Sequence, residues 1–120
     1  IYLQISEMIE TDILRDILLE EERVPSTNEL AKIYAINPAT AAKGINVLVD
    51  SGILYKKRGI GMFVAAGAKE QILKRRKEAF YNDFIKKLLH EAASIGLDKE
   101  QVIQMIRLGE EKQSSKRREG

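Results

Sequence analysis

The stretch 54–64, LYKKRGIGMFV, concentrates the side chains of this sequence best suited to hold an anion. Lys56, Lys57 and Arg58 stand in a row, and Gly59 and Gly61 follow at once. The runs ILYKK and MFVAA read as two short strands around RGIG, so the cations gather at the tip of a β-hairpin. A turn needs the glycines, which permit positive φ and close backbone approach, but it does not need three cations. Lysines on an edge strand discourage strand-to-strand aggregation, which covers Lys56 and Lys57. Arg58, where the chain turns, is harder to explain that way. A cation there can reach the phosphates or the narrow minor groove of a duplex. A nucleotide-phosphate cradle does not fit, because the third glycine and the helix start of the dinucleotide motif are missing and no Gly-Lys-Ser/Thr follows.

Catalysis has little to draw on. The single histidine, His90, is adjacent to Glu91 in a helical pattern and does not face it. With no cysteine and no second histidine, no metal site is assembled, and no nucleophile–base pair is legible. No catalytic residue, metal or cofactor is therefore expected. The absence of cysteine also removes disulfides, and no apolar run approaches the ~20 residues that span a bilayer. The start lacks the basic-then-apolar layout of a signal peptide, so a cytoplasmic location is expected. The first residue is Ile, so a few residues are expected to precede it.

The 120 residues carry a net charge of only +2, but the charge is unevenly placed. Residues 1–36 hold three cations against eight acids, 37–67 hold four against one, and 68–120 hold thirteen against nine. Clustered cations are what a polyanion partner requires, although a solvated surface of mixed sign also produces charge runs.

The elements that must position these groups follow from spacing. Over 2–19, Ile5, Met8, Ile9, Ile13 and Ile17 recur at helical intervals. Pro25 cannot continue that helix, and Ser26 with Glu29 forms a capping-box signature for a second, short one. Asn37 caps a third helix, with Pro38 at its first position, Ala41, Ile45, Leu48 and Val49 as its apolar stripe, and Gly52 as its stop. The tight connection between the second and third helices predicts a helix-turn-helix. With the hairpin added, the fold expected is mainly α: a winged helix-turn-helix of three helices and a two-stranded wing over 1–67. In the third helix the first turns expose Asn37, Ala39, Thr40 and Lys43, while the apolar anchors come later. That layout suits a helix that enters a DNA major groove, although the Asn-Pro start alone is also what a plain surface helix uses as a cap.

A long helix is expected over 69–94, then a shorter one that Asp98 caps with Gln101 at the capping-box position, and a polar, basic tail over 112–120 that frays. Leu73, Phe80, Phe84, Ile85, Leu88, Leu89 and Ala92 form a wide stripe, and Val102 and Ile106 give the last helix one apolar side. The last helix is too short to cover that stripe. A second copy of the chain would cover it, which predicts a homodimer through 68–111; the alternative is packing onto the chain's own winged domain. Such a dimer would set two recognition helices about one duplex turn apart, on the order of 34 Å.

The segments IYLQISEMI, VPSTNELA and NPATAAKGINVLVDSGILYKKRGIGMFV resemble the GntR family of bacterial transcription regulators from about residue 1 to 66. The short helical remainder resembles the YtrA-type subfamily, whose two C-terminal helices serve dimerisation. The resemblance implies a repressor of a palindromic operator, often for an ABC-transporter operon. The DNA contacts expected are Ser26, Thr27 and Asn28 in the second helix and Asn37, Pro38, Ala39, Thr40 and Lys43 in the third, of which the family pattern itself carries over Thr40 and Lys43. In the wing they are Lys57, Arg58, Gly59 and Gly61, of which the pattern carries over Arg58 and Gly59. Asn28 and Ala42 stand where the family commonly has basic side chains, which implies a different operator or more reliance on the wing. About fifty residues follow the wing, so the larger effector domains of other branches are not expected among them, and any small-molecule signal is expected at the dimer interface or between domains. The rival reading is a winged helix that holds an acidic protein partner and prefers no duplex sequence.

Overall fold

The computed structural model describes the backbone of residues 1–119 and the side chains of residues 1–113. Its helices are α1 (Tyr2–Leu14), α2 (Thr27–Ile33), α3 (Pro38–Asp50), α4 (Ala68–Phe80), α5 (Lys86–Ser94) and α6 (Lys99–Glu119), with a π-helical turn at Tyr81–Ile85 and strands β1 (Leu54–Lys57) and β2 (Gly61–Val64). None of the described helices is long and apolar enough to cross a membrane. The chain divides into two compact units, Ile1–Arg76 and Lys77–Gly120. That division falls inside α4, whereas the sequence expectation drew it at the end of the wing.

In the first unit, Ile5, Ile9 and Ile13 of α1 meet Leu30 of α2, Ile45 and Leu48 of α3, and Ile53, Leu54 and Val64 of the hairpin in one core. Ala68 and Ile72 of α4 complete it, which is why the first turns of α4 belong here. Helix α1 stops at Leu14, five residues short of the expected end. Asp16 takes a left-handed φ of +59°, and the amides of Ile17 and Leu18 both donate to the Asp12 carbonyl. Aspartate tolerates that conformation better than most residues, and the chain there reverses toward the wing. Ile17, expected on the helical stripe, is left exposed as a result.

Capping explains the next two helices. The Ser26 hydroxyl oxygen accepts from the Glu29 amide at 3.1 Å, one half of the capping box. Asn37 Oδ1 accepts from the Ala39 amide at 2.7 Å, Pro38 follows at the first turn, and Gly52 with φ +80° lies just past the end of α3. The hairpin is antiparallel, with Leu54 opposite Val64, Tyr55 opposite Phe63, Lys56 opposite Met62 and Lys57 opposite Gly61.

In the second unit the expected single helix is interrupted: the π-helical turn separates α4 from α5. A π turn inserts an extra residue and rotates the side chains that follow, so the stripe read from 3.6-residue spacing does not continue straight. Helix α5 ends in a Schellman motif, with Leu97 donating to the Ala92 carbonyl at 2.8 Å and Gly96 at φ +78°. Asp98 and Gln101 then close a complete capping box at the start of α6, at 2.9 and 2.8 Å. Over 112–120, where a frayed tail was expected, helical backbone continues to Glu119; the side chains from 114 onward and residue 120 lie outside the described residues.

Candidate nucleic-acid interface

Helix α3 has two faces. Ala41, Gly44, Ile45 and Leu48 are buried, while Asn37, Pro38, Ala39 and Lys43 are exposed and Thr40 is half-buried. The buried face is pressed unusually close to α1. A Cβ at Gly44 would lie 2.8 Å from the Tyr2 carbonyl oxygen and 3.0 Å from Ile5 Cβ, so only glycine allows this crossing. The buried Ser6 hydroxyl donates to the Gly44 carbonyl at 2.7 Å and pins the two helices there. Tyr2 is thereby brought beneath Lys43, whose Nζ stands 4.3 Å from the ring centroid. Neither Ser6 nor Gly44 was legible as a positioning residue from sequence, because nothing local says which glycine faces another helix.

The helix-two positions are less uniform than the motif suggests. Ser26 uses its oxygen as a cap, Thr27 is half-buried at the first position of α2, and Asn28 is exposed. Asn37 likewise spends Oδ1 on its own cap, which leaves its side-chain amide as a donor.

At the wing, the Ile60 amide donates to the Lys57 carbonyl at 3.0 Å and closes the turn over 57–60. Gly59 occupies the third position of that turn with φ +78°, where a side chain would be strained. Arg58 is exposed beside it, and Ile60 is 60% exposed at the tip. Lys57 folds back so that its Nζ lies 4.4 Å from the Phe63 ring centroid, and Phe63 stacks with Tyr55 at 5.9 Å. The Tyr55 hydroxyl donates to the Glu21 carboxylate. That bond, with a little desolvation and the Glu21 charge, raises the phenol above its ordinary value of 10.0. Gly61 has φ +139° and packs against Arg23, a cation that sequence reasoning left out of the site. The missed signal was its position just before Val24-Pro25, next to an extended backbone.

The first turns of α4 are held by a buried acid. Glu10 of α1 is 4% exposed and pairs with Arg75 and, at 3.7 Å, with Arg76.

The residues expected between two copies behave unequally. Leu73, Phe80, Phe84, Leu88, Leu89 and Ile106 are exposed and Ile85 is half-buried. Ala92 and Val102 are largely covered within the chain, at 6% and 8% exposure, yet both line the apolar groove formed by α5 and α6. The open apolar face is wider than expected, adding Tyr81, Ile95, Met105 and Leu108. Leu88, Ala92, Ile95, Leu97, Val102, Met105 and Ile106 line this open groove of about 300 Å³.

A helix-turn-helix with a cationic wing is the architecture of a DNA-binding module, and comparison with known proteins places it. Residues 1–64 match the gntR family of bacterial regulatory proteins, and the chain belongs to that family. It is a transcriptional regulator with a winged helix-turn-helix DNA-binding domain, and the family is not one of enzymes. The HTH-type transcriptional repressor YtrA of Bacillus subtilis (strain 168) is 29% identical over 107 residues, covering 89% of this chain and 82% of YtrA. A crystal structure from Bacteroides thetaiotaomicron, assigned to GntR-family transcriptional regulators, is 35% identical with a TM-score of 0.74, covering 93% of this chain and 97% of that one. The DNA-binding domain of AraR, solved in complex with operator ORX1, is 36% identical with a TM-score of 0.51, covering 53% of this chain and 77% of that one.

Proposed function

We propose that this chain is a repressor that acts as a homodimer on a palindromic operator. The observation that carries the reading is the division of α3: its buried face anchors Ala41, Ile45 and Leu48, and its opposite face offers Ala39, Thr40 and Lys43 on the same unit as the exposed Arg58. Residues 37–43 enter the major groove, where Thr40 and Lys43 meet base edges or phosphates and Ala39 meets a thymine methyl. Thr27 and Asn28 lie against the backbone, and Arg58 with Gly59 reaches the adjacent phosphates or minor groove. The kinship with YtrA and with the operator-bound AraR domain supports this assignment.

Dimerisation runs through the open apolar face of the second unit, centred on Phe80, Phe84 and Leu88. One module makes few contacts, and two linked modules bind far more tightly than one. Repression follows from occlusion of polymerase at the operator. The regulated operon is that of an ABC transporter, as the subfamily resemblance suggests.

Selection from a random duplex pool tests the reading. An inverted repeat should be enriched, and Thr40→Ala and Arg58→Ala should each weaken binding to it in a gel shift while the dimer persists. Enrichment of no sequence would leave only a protein-interaction role for the same surface.

A further inference from the structure

We infer that Arg23, which lies outside both the helix-turn-helix and the hairpin in sequence, is a fourth cation of the wing and contacts the phosphate backbone of bound duplex. The inference rests on the DNA-binding reading above and adds a contact to it.

The backbone brings Arg23 there. The Glu21 amide donates to the Val64 carbonyl at 2.7 Å, Val64 to Glu22 at 3.0 Å, and Val24 to Met62 at 2.9 Å. Arg23 bridges Phe63 in antiparallel sense, so residues 21–24 run along β2 as a third edge of the wing. Residues directly opposite in an antiparallel ladder share a face. Arg23, Phe63 and Tyr55 therefore stand on one face, and Gly61 and Lys57 continue that face one step closer to the tip.

The side chain is seated as well as the backbone. A Cβ at Gly61 would lie 2.9 Å from Arg23 Nε and 3.7 Å from its Cζ and Nη2. The missing side chain at Gly61 is thus a slot for the guanidinium, and the φ of +139° suits glycine there. Gly61 pairs with Lys57, so two cations stand at one level of the wing, next to the Arg58 turn.

Arg23 is also uncompensated, although it follows three glutamates. The Glu21 carboxylate accepts from the Tyr55 hydroxyl, and the Glu22 carboxylate accepts from the Leu19 amide at 2.9 Å. Among the described residues no carboxylate lies within 4.0 Å of the Arg23 guanidinium. A seated, exposed and unpaired guanidinium is the form of cation best matched to a phosphate, whose oxygens it meets with a planar fork of donors.

The test uses fluorescence anisotropy over a series of salt concentrations. The probes are a duplex enriched from a random pool by the unmodified chain and a scrambled duplex of equal composition. Arg23→Gln removes the charge and leaves a shorter, polar side chain in the slot. It should weaken binding to both duplexes alike, by roughly 5- to 10-fold at 0.1 M salt, and reduce the slope of log K against log salt by about 0.9 for each chain bound. Arg23→Lys keeps the charge and should keep the parental slope. An unchanged slope and affinity in Arg23→Gln, while Arg58→Ala still loses affinity, would confine Arg23 to bracing the wing and overturn the inference alone. Parental binding by Arg23→Gln, Arg58→Ala and Thr40→Ala together would overturn the docking reading with it.

Discussion

In Ile1–Arg76 fourteen apolar side chains close into one core, whereas among the described residues of Lys77–Gly120 only Ala92 and Val102 are buried. Eight large apolar side chains of the first unit are exposed, but they accompany a closed core. The second leaves Phe80, Tyr81, Phe84, Leu88, Leu89, Ile95, Met105 and Ile106 open. A pair of helices has too little interior to bury its own apolar side chains, and apolar residues left exposed in such number are what an interaction surface would cover. The winged unit closes a core of its own; the helical unit does not, and the dimer proposed above would cover its exposed apolar side chains. DNA contact and self-association should therefore be separable by mutation.

The largest expected effect breaks association alone. Phe84→Asp places a carboxylate in the middle of the open face and should leave the chain monomeric in sedimentation at micromolar concentration. Operator affinity should fall by about 100-fold or more through lost avidity, with the winged core intact by circular dichroism. A Phe84→Asp chain that remained dimeric would remove the functional meaning of the contrast between units.

The opposite variant acts on the closed unit. Ile45→Ala empties a fully buried site and should destabilise that unit by ~2–5 kcal/mol in urea unfolding. Phe84→Ala, measured where the chain is monomeric, should cost far less, because the ring is 63% exposed.

Glu10→Gln sharpens where the first unit ends. The buried carboxylate faces two guanidinium groups that are themselves 50% and 38% exposed, so solvent screening reduces the loss to roughly 1–3 kcal/mol. The measurement is the urea midpoint, with hydrogen exchange over 68–76 reporting whether α4 loosens at its start. Thr40→Ala and Arg58→Ala should leave stability unchanged and weaken operator binding by roughly 10-fold each.

The smallest effect concerns the Tyr55 phenol. Its proton is held by Glu21, so its folded value lies above the unfolded 10.0. The contribution of that bond is fully present below pH 10 and is lost as the pH rises through the folded midpoint. Ultraviolet titration of Tyr55 against the Tyr55→Phe chain should show the raised midpoint, and the substitution should flatten stability between neutral and strongly alkaline pH.

Much of the winged unit could be read without coordinates because its signals are local. Ser26, Asn37, Pro38 and Gly52 announce helix ends through their own hydrogen-bonding and backbone preferences, and RGIG announces a turn. The long-range features could not be read this way. Arg23 joins the wing only because residues 21–24 pair with β2, and Ile72 is core only because α4 begins against the first unit. The end of α1 at Leu14 and the π-helical turn were missed too. Apolar periodicity continued past both; the left-handed Asp16 follows the end of α1, and the π-helical turn, which buries no side chain, has no packing explanation within the chain.

The order and capping of residues by themselves determined that this protein has a helix-turn-helix, a cationic hairpin and a wide apolar stripe after the wing. Those properties are set by backbone preference and side-chain spacing over a few neighbours. Only the tertiary structure decided that Gly44 lets α1 and α3 cross closely enough to bring Tyr2 under Lys43, that Gly61 makes room for Arg23, and that Ala92 and Val102 lie low in an apolar groove. Each of these depends on the approach of segments distant in sequence, where close packing rather than local propensity selects the arrangement.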